Sequence, residues 1–163
     1  MSPADTARAI RLRLAGEMAD DRASLDRLAD AIASLVPPAS DERGEWMRGL
    51  ALAFEVERYY TAVETLLTRV LRTIDGDVPA GAGWHQEVLR GASVALEGVR
   101  PALVPPEIVA DMRELLKFRH LARHGYEAEP VLPRMVEHAE RVGRAHPTLG
   151  AALDAFATWL RTA

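Results

Sequence analysis

"ALAFEVERYYTAVETLLTRVLRTI", residues 51–74, places Ala53, Val56, Tyr60, Val63, Leu67, Val70 and Ile74 at alternating steps of three and four. That spacing returns each apolar side chain to one face of an α-helix and leaves no strand-like alternation. The stripe is unbroken, as in long antiparallel bundles, and predicts a helix over about residues 42–74. Upstream, Leu14, Met18, Leu25, Leu28, Ile32 and Leu35 keep the same period, with Asp21 interrupting the seam. A second long helix is expected over about residues 6–35. At about 1.5 Å per residue each would span roughly 45 Å.

Downstream, proline and glycine punctuate the chain: DGDVPAGAG at 75–83, Pro101, Pro105-Pro106, Pro130, Pro133 and Pro147. Between these marks the apolar period stays helical, which predicts shorter helices over about 84–98, 106–125, 131–144 and 148–162. Pro106 suits a first helical turn, where a missing N–H costs nothing, and Gly125 suits a helix end. The expected fold is all-α, an up-and-down helical bundle with two long helices and several shorter ones, forming a single domain over residues 1–163.

Composition narrows the function classes. The chain of 163 residues is 48% hydrophobic and 27% charged, too apolar for disorder and long enough to bury a core. It has no cysteine, which removes disulfides and thiolate metal sites. No long apolar run or apolar signal core is found, so no membrane association and a cytoplasmic location are expected. The net charge of −4 gives no broad attraction for nucleic acid. Any RNA contact must therefore come from a local cationic site.

"FRHLARHGYEAEP", residues 118–130, offers such a site. With successive residues about 100° apart and Arg119 at zero, Ile108, Met112, Leu115, Leu116 and Ala122 all fall within about 60°. Arg119 thus sits at the centre of the apolar stripe, with Arg123 about 40° away. A guanidinium there must be paired or face a wet cleft. A structural role is open: a carboxylate such as Glu64 on a neighbouring helix could pair with it. His124 lies about 140° round the helix, so it meets Arg119 only if the helix unwinds at Gly125 or two subunits share a groove.

Arg119 to Tyr126 read R-x-x-x-x-H-x-Y at a helix end. With the upstream segment RYYTAVETLLTRVLRTIDGDVPAGAGWHQEVL, this resembles the HEPN superfamily, and within it the HepT-like ribonuclease toxins of bacterial toxin–antitoxin pairs. The likeness covers about residues 46–143, the N-terminal helix being less diagnostic. It implies a homodimer whose two motifs line one cleft, and RNA cleavage without a metal or other cofactor. Arg119 and His124 match the family's catalytic pair. Tyr126 matches the tyrosine that nucleotidyltransferase antitoxins of the MNT type adenylylate. Where many members carry asparagine or aspartate after the arginine, this chain has His120. It and Arg123 are candidates for supporting contacts to RNA phosphate. The alternative is a catalytically silent HEPN module that binds nucleotides or regulates a partner.

The remaining candidates have plainer readings. His120 and His124, four residues apart, could hold a metal but lack an evident third ligand. Trp84-His85 fits a packed tryptophan beside a capping histidine as well as it fits the family. Tyr59 and Tyr60 belong to the core, and His138 and His146 are expected at the surface. The glycines of GDVPAGAG lack the lysine and strand of a phosphate-cradling loop.

Overall fold

Helices account for the secondary structure of the computed structural model, which describes residues 2–124 and 129–163, the side chain of His124 excepted. Helix α1 spans Pro3–Ser34, α2 Glu42–Ile74, α3 Trp84–Ala92, α4 Val109–His124 and α5 Leu132–Thr162. One 3-10 turn, Pro106–Ile108, leads into α4. Local chemistry sets the starts. Ser2 and Asp5 form a reciprocal capping box at α1, and the Asp41 carboxylate accepts from the Gly44 N–H at α2. Among the described residues no helix is long and apolar enough to cross a membrane.

The expected bundle is present, with three long helices rather than two. Residues 131–144 and 148–162 are one helix, and Pro147 lies inside it. An interior proline typically costs about 3 kcal/mol through its missing N–H and its clash with the preceding turn. Here the buried stripe Ala139, Val142, Ala145, Leu149, Leu153 and Phe156 runs straight across it. Burial of that stripe against α1 and α2 offsets the local loss. α3 is shorter than the sequence period implied. Its chain turns at Gly98 (φ 72°), Leu96 pairs with Arg100, and the N–H groups of Leu103 and Val104 both return to the Ala92 carbonyl.

α1, α2 and α5 pack along one another, while α4 lies on α2 and α3 wedges between α2 and α4. Their shared core includes Leu14, Met18, Leu25, Leu52, Val56, Tyr59, Leu67, Met112, Leu115 and Phe156. Two polar ties fix the register. Tyr59 of α2 contacts His146 Nδ1 at 3.1 Å, and His146 Nε2 meets Asp26 of α1 at 2.8 Å. Arg100, its side chain 1% exposed, holds Asp75 at 2.6 and 2.8 Å and so fastens the loop after α3 to the end of α2.

His138 and His146 are therefore half-buried rather than surface residues. The His138 ring packs on Phe118 with centroids 4.6 Å apart, and its buried Nδ1 has no hydrogen-bond partner among the described residues. Burial, and then Arg141, hold its pKa below the ordinary 6.5. Unfolding restores the ordinary value, so the unfolded chain binds the extra proton. The stability that neutral His138 contributes is complete above about pH 6.5 and is lost as pH falls through the folded pKa. The thermal midpoint should fall between pH 7.5 and 5.5, and fall less in His138→Leu; parallel curves for the two proteins would exclude this source.

Candidate active site

The stripe beside the α2 seam is polar: Glu57, Thr61 and Glu64 recur at steps of four and three and face α4 and α3. α4 sends Arg119 and, one turn later, Arg123 onto this stripe. α3 contributes its first residues, Trp84 and His85. Gly83 precedes them at φ 80°, a left-handed conformation that glycine adopts without strain, and this sets the angle at which α3 enters.

These side chains form one continuous polar chain. Arg123 Nε donates to Glu57 Oε1 at 3.1 Å, and the Thr61 hydroxyl donates to the same oxygen at 3.1 Å. Thr61 in turn accepts from Arg119 Nε at 3.0 Å. Arg119 Nη2 pairs with Glu64 Oε2 at 3.1 Å, and the other oxygen, Oε1, lies 2.6 Å from His85 Nδ1. The Arg119 and Glu64 side chains are only 7% and 5% exposed. At such burial each charge needs the other, because neither keeps much hydration.

The 2.6 Å contact to a carboxylate requires a proton on His85 Nδ1. The guanidinium nitrogen Nη1, 3.4 Å from that same Nδ1, is then a neighbour and not its donor. Trp84 covers the imidazole, ring centroids 3.7 Å apart and planes 32° from parallel. Tyr60 adjoins the pair; burial first, and then the Glu64 carboxylate, push its hydroxyl far above the ordinary phenol range. It stays neutral.

Arg119 is buried, as its place on the stripe required, and pairs with Glu64, the carboxylate that the structural reading named. Arg123 is 53% exposed and joins the same chain through Glu57. His120 lies on the exposed side of α4. His124 is the last residue of α4, and its side chain, like the whole of Tyr126, lies outside the described residues. His85 is not a cap: it makes no capping bond and is engaged by Glu64. Its role escaped the sequence reading, as did those of Glu57 and Thr61. The available signal was the polar row Glu57, Thr61, Glu64 running beside the apolar seam.

A family profile described as HepT-like protein matches residues 51–160. The chain belongs to the HepT-like family. The match takes in every member of the polar chain and leaves out α1. Comparisons with curated proteins and with solved structures returned no match. Membership in the HepT-like family bears out the resemblance drawn from the α4 motif, and extends it through most of α5.

The Arg119–Glu64 pair has a measurable signature. Removing one partner, as in Glu64→Leu or Arg119→Met, should destabilise the fold by about 3–5 kcal/mol by stranding the other charge. The double apolar variant should recover most of that loss in urea denaturation. Additive losses would show that the two residues do not depend on each other.

Proposed function

We propose that this HepT-like protein is a metal-independent endoribonuclease toxin, silenced by a nucleotidyltransferase that adenylylates Tyr126. The observation that carries the reading is the end of α4. There a guanidinium fixed at an apolar position, Arg119, precedes His124 and Tyr126 in the order R-x-x-x-x-H-x-Y, inside the region matched to the HepT-like family. Attack of a ribose 2′-hydroxyl on the adjacent phosphorus needs proton transfer and stabilisation of a developing anion. Histidine is the side chain suited to exchange a proton near neutral pH, and His124 is the one the motif supplies. Arginines 119 and 123, one turn apart, can hold phosphate oxygens through charge-assisted hydrogen bonds. His120 adds a further donor on the outer face of the same helix end.

The active form we propose is a homodimer. Trp46, Met47 and Phe54 on the first half of α2, Leu121 on α4 and Val131 before α5 are each more than half exposed. Large apolar side chains at such density mark an interaction surface. Leu121 and Val131 share one cleft with Ala53 and Ala122 at the last turns of α4, which supports a second copy joined there with the two motifs in one cleft. A silent, nucleotide-binding module is the second reading, and the internal pairing of Arg119 with Glu64 favours it.

Expression of the chain alone should arrest bacterial growth, and the purified protein should cleave RNA in the presence of chelators. His124→Ala, at the last residue of α4, should lower cleavage about 10²–10⁴-fold with the helical spectrum unchanged. A parent protein that binds nucleotides without cutting RNA would establish the silent module instead.

Adenylylation at Tyr126 would bring bulk and a phosphate charge toward Arg119 and Arg123. Tyr126→Phe should retain most ribonuclease activity yet escape silencing by a co-expressed nucleotidyltransferase. Mass spectrometry should find adenosine monophosphate on Tyr126 of the silenced parent; an unmodified but fully silenced parent would point to inhibition by complex formation.

A further inference from the structure

The ribonuclease reading rests on one histidine, but cleavage by a 2′-hydroxyl moves two protons. One leaves the attacking hydroxyl and the other must reach the departing 5′-oxygen. In a dimeric cleft a second His124 could supply the other. The structure holds a different candidate within a single chain.

His85 Nδ1 is 3.4 Å from Arg119 Nη1, so a phosphate held by that guanidinium nitrogen would lie beside the imidazole. Glu64 fixes the ring by accepting a hydrogen bond from His85 Nδ1–H at 2.6 Å, and Trp84 packs against its face. This is the arrangement in which a buried carboxylate sets the tautomer and orientation of a catalytic imidazole. It leaves Nε2 with a lone pair when the ring is neutral. The His85 side chain is 28% exposed against 5% for Glu64, so the ring, unlike its carboxylate, keeps access to solvent.

Glu64 and Trp84 also border a cleft of about 290 Å³, together with Thr65, Thr68, Arg69, Arg72 and Thr73. Arg69 is held by Asp21 and Glu17 of α1. Among the described residues, the charged groups near His85 or the cleft beside Glu64 are thus Glu64, Arg69 and Arg72 from α2 and Arg119 from α4, with neutral Tyr60 behind Glu64.

We infer that His85, held by Glu64, is a second catalytic residue, the base that takes the 2′-hydroxyl proton from RNA bound at Arg119. This rests on the ribonuclease reading. The 2′-oxygen forms a bond to phosphorus as the P–O5′ bond breaks. His85 Nε2 gains the 2′-hydroxyl proton and His124 gives one to the 5′-oxygen. The products are a 2′,3′-cyclic phosphate and a 5′-hydroxyl end. Water then returns both histidines to their starting forms by proton exchange.

The test uses the full chain and a short RNA with a single cleavage site. Asparagine keeps a donor for Glu64 but cannot carry a proton. His85→Asn should therefore fold as the parent does, bind RNA with similar KM, and lose about 10²–10⁴-fold in kcat. The acid limb of the parent's pH–rate profile, where the base must be deprotonated, should vanish in His85→Asn, while His124→Ala should remove the alkaline limb. If His85→Asn keeps the parental kcat and both limbs while His124→Ala is inactive, the role of His85 is overturned and the ribonuclease reading stands. If the parent cleaves no RNA, both fall together. A His85→Asn variant that loses kcat but keeps both limbs would also overturn proton transfer, leaving His85 as a positioning residue.

Discussion

Glu64 cannot remain ionised by itself inside a helical bundle. Its carboxylate has lost most of its water, and an uncompensated charge there would be neutralised or would unfold its surroundings. Arg119 and His85 together replace that water, one at each oxygen. Three helices therefore converge on a single carboxylate: α2 carries it, α4 brings the guanidinium and α3 brings the imidazole. The short helix α3, with only nine residues, has little propensity to persist in isolation. Its packing through Val88, Leu89 and Ala92, together with the His85 contact, gives it a defined place.

The same dependence fixes what the helix end of α4 can do. Arg119 is not a flexible surface cation searching for a phosphate; it is held through Nε and Nη2 before any ligand arrives. Catalytic stabilisation of charge works best with groups whose orientation is settled in advance, because reorganisation then costs little during reaction. Against this, a guanidinium already facing a carboxylate offers a phosphate less net attraction. Arg123, more exposed and held through Glu57, complements it on the outer side. In the proposed ribonuclease the inner arginine would set geometry and the outer one charge.

Much of this was legible in the residues. The stripe on α2 and the anomalous place of Arg119 on α4 follow from helical period alone, and Glu64 was identifiable as a partner because it lies one step off the seam. The continuity of α5 was not legible, since local propensity at Pro147 opposes a helix and only burial of the stripe across it overrides that. The end of α3 at Ala92 was also hidden, because Leu103 and Val104 close it from eleven residues or more away in sequence. His85 stands 21 residues from Glu64, and no periodicity connects positions on separate helices. The half-buried His138 and His146 were misread for the same reason: their burial comes from α4, α1 and α2, not from their own helix.

Helix α1 lies outside the region shared with the family, yet it seals the core that the shared region builds. Leu14, Ala15, Met18, Leu25 and Ile32 are each about 1% exposed or less, and they cover α2 and α5 along most of their length. On α5, the guanidinium of Arg22 occupies the space that a side chain at Gly150 would fill. The boundary at residue 51 therefore marks where sequence likeness begins, not where a folding unit begins. It also falls within α2, nine residues after that helix starts. Replacing α1 would keep the core covered only if another amphipathic helix of similar length lay across the same two neighbours. The stability of the fold is thus the common property of α1 and of the region the family profile covers.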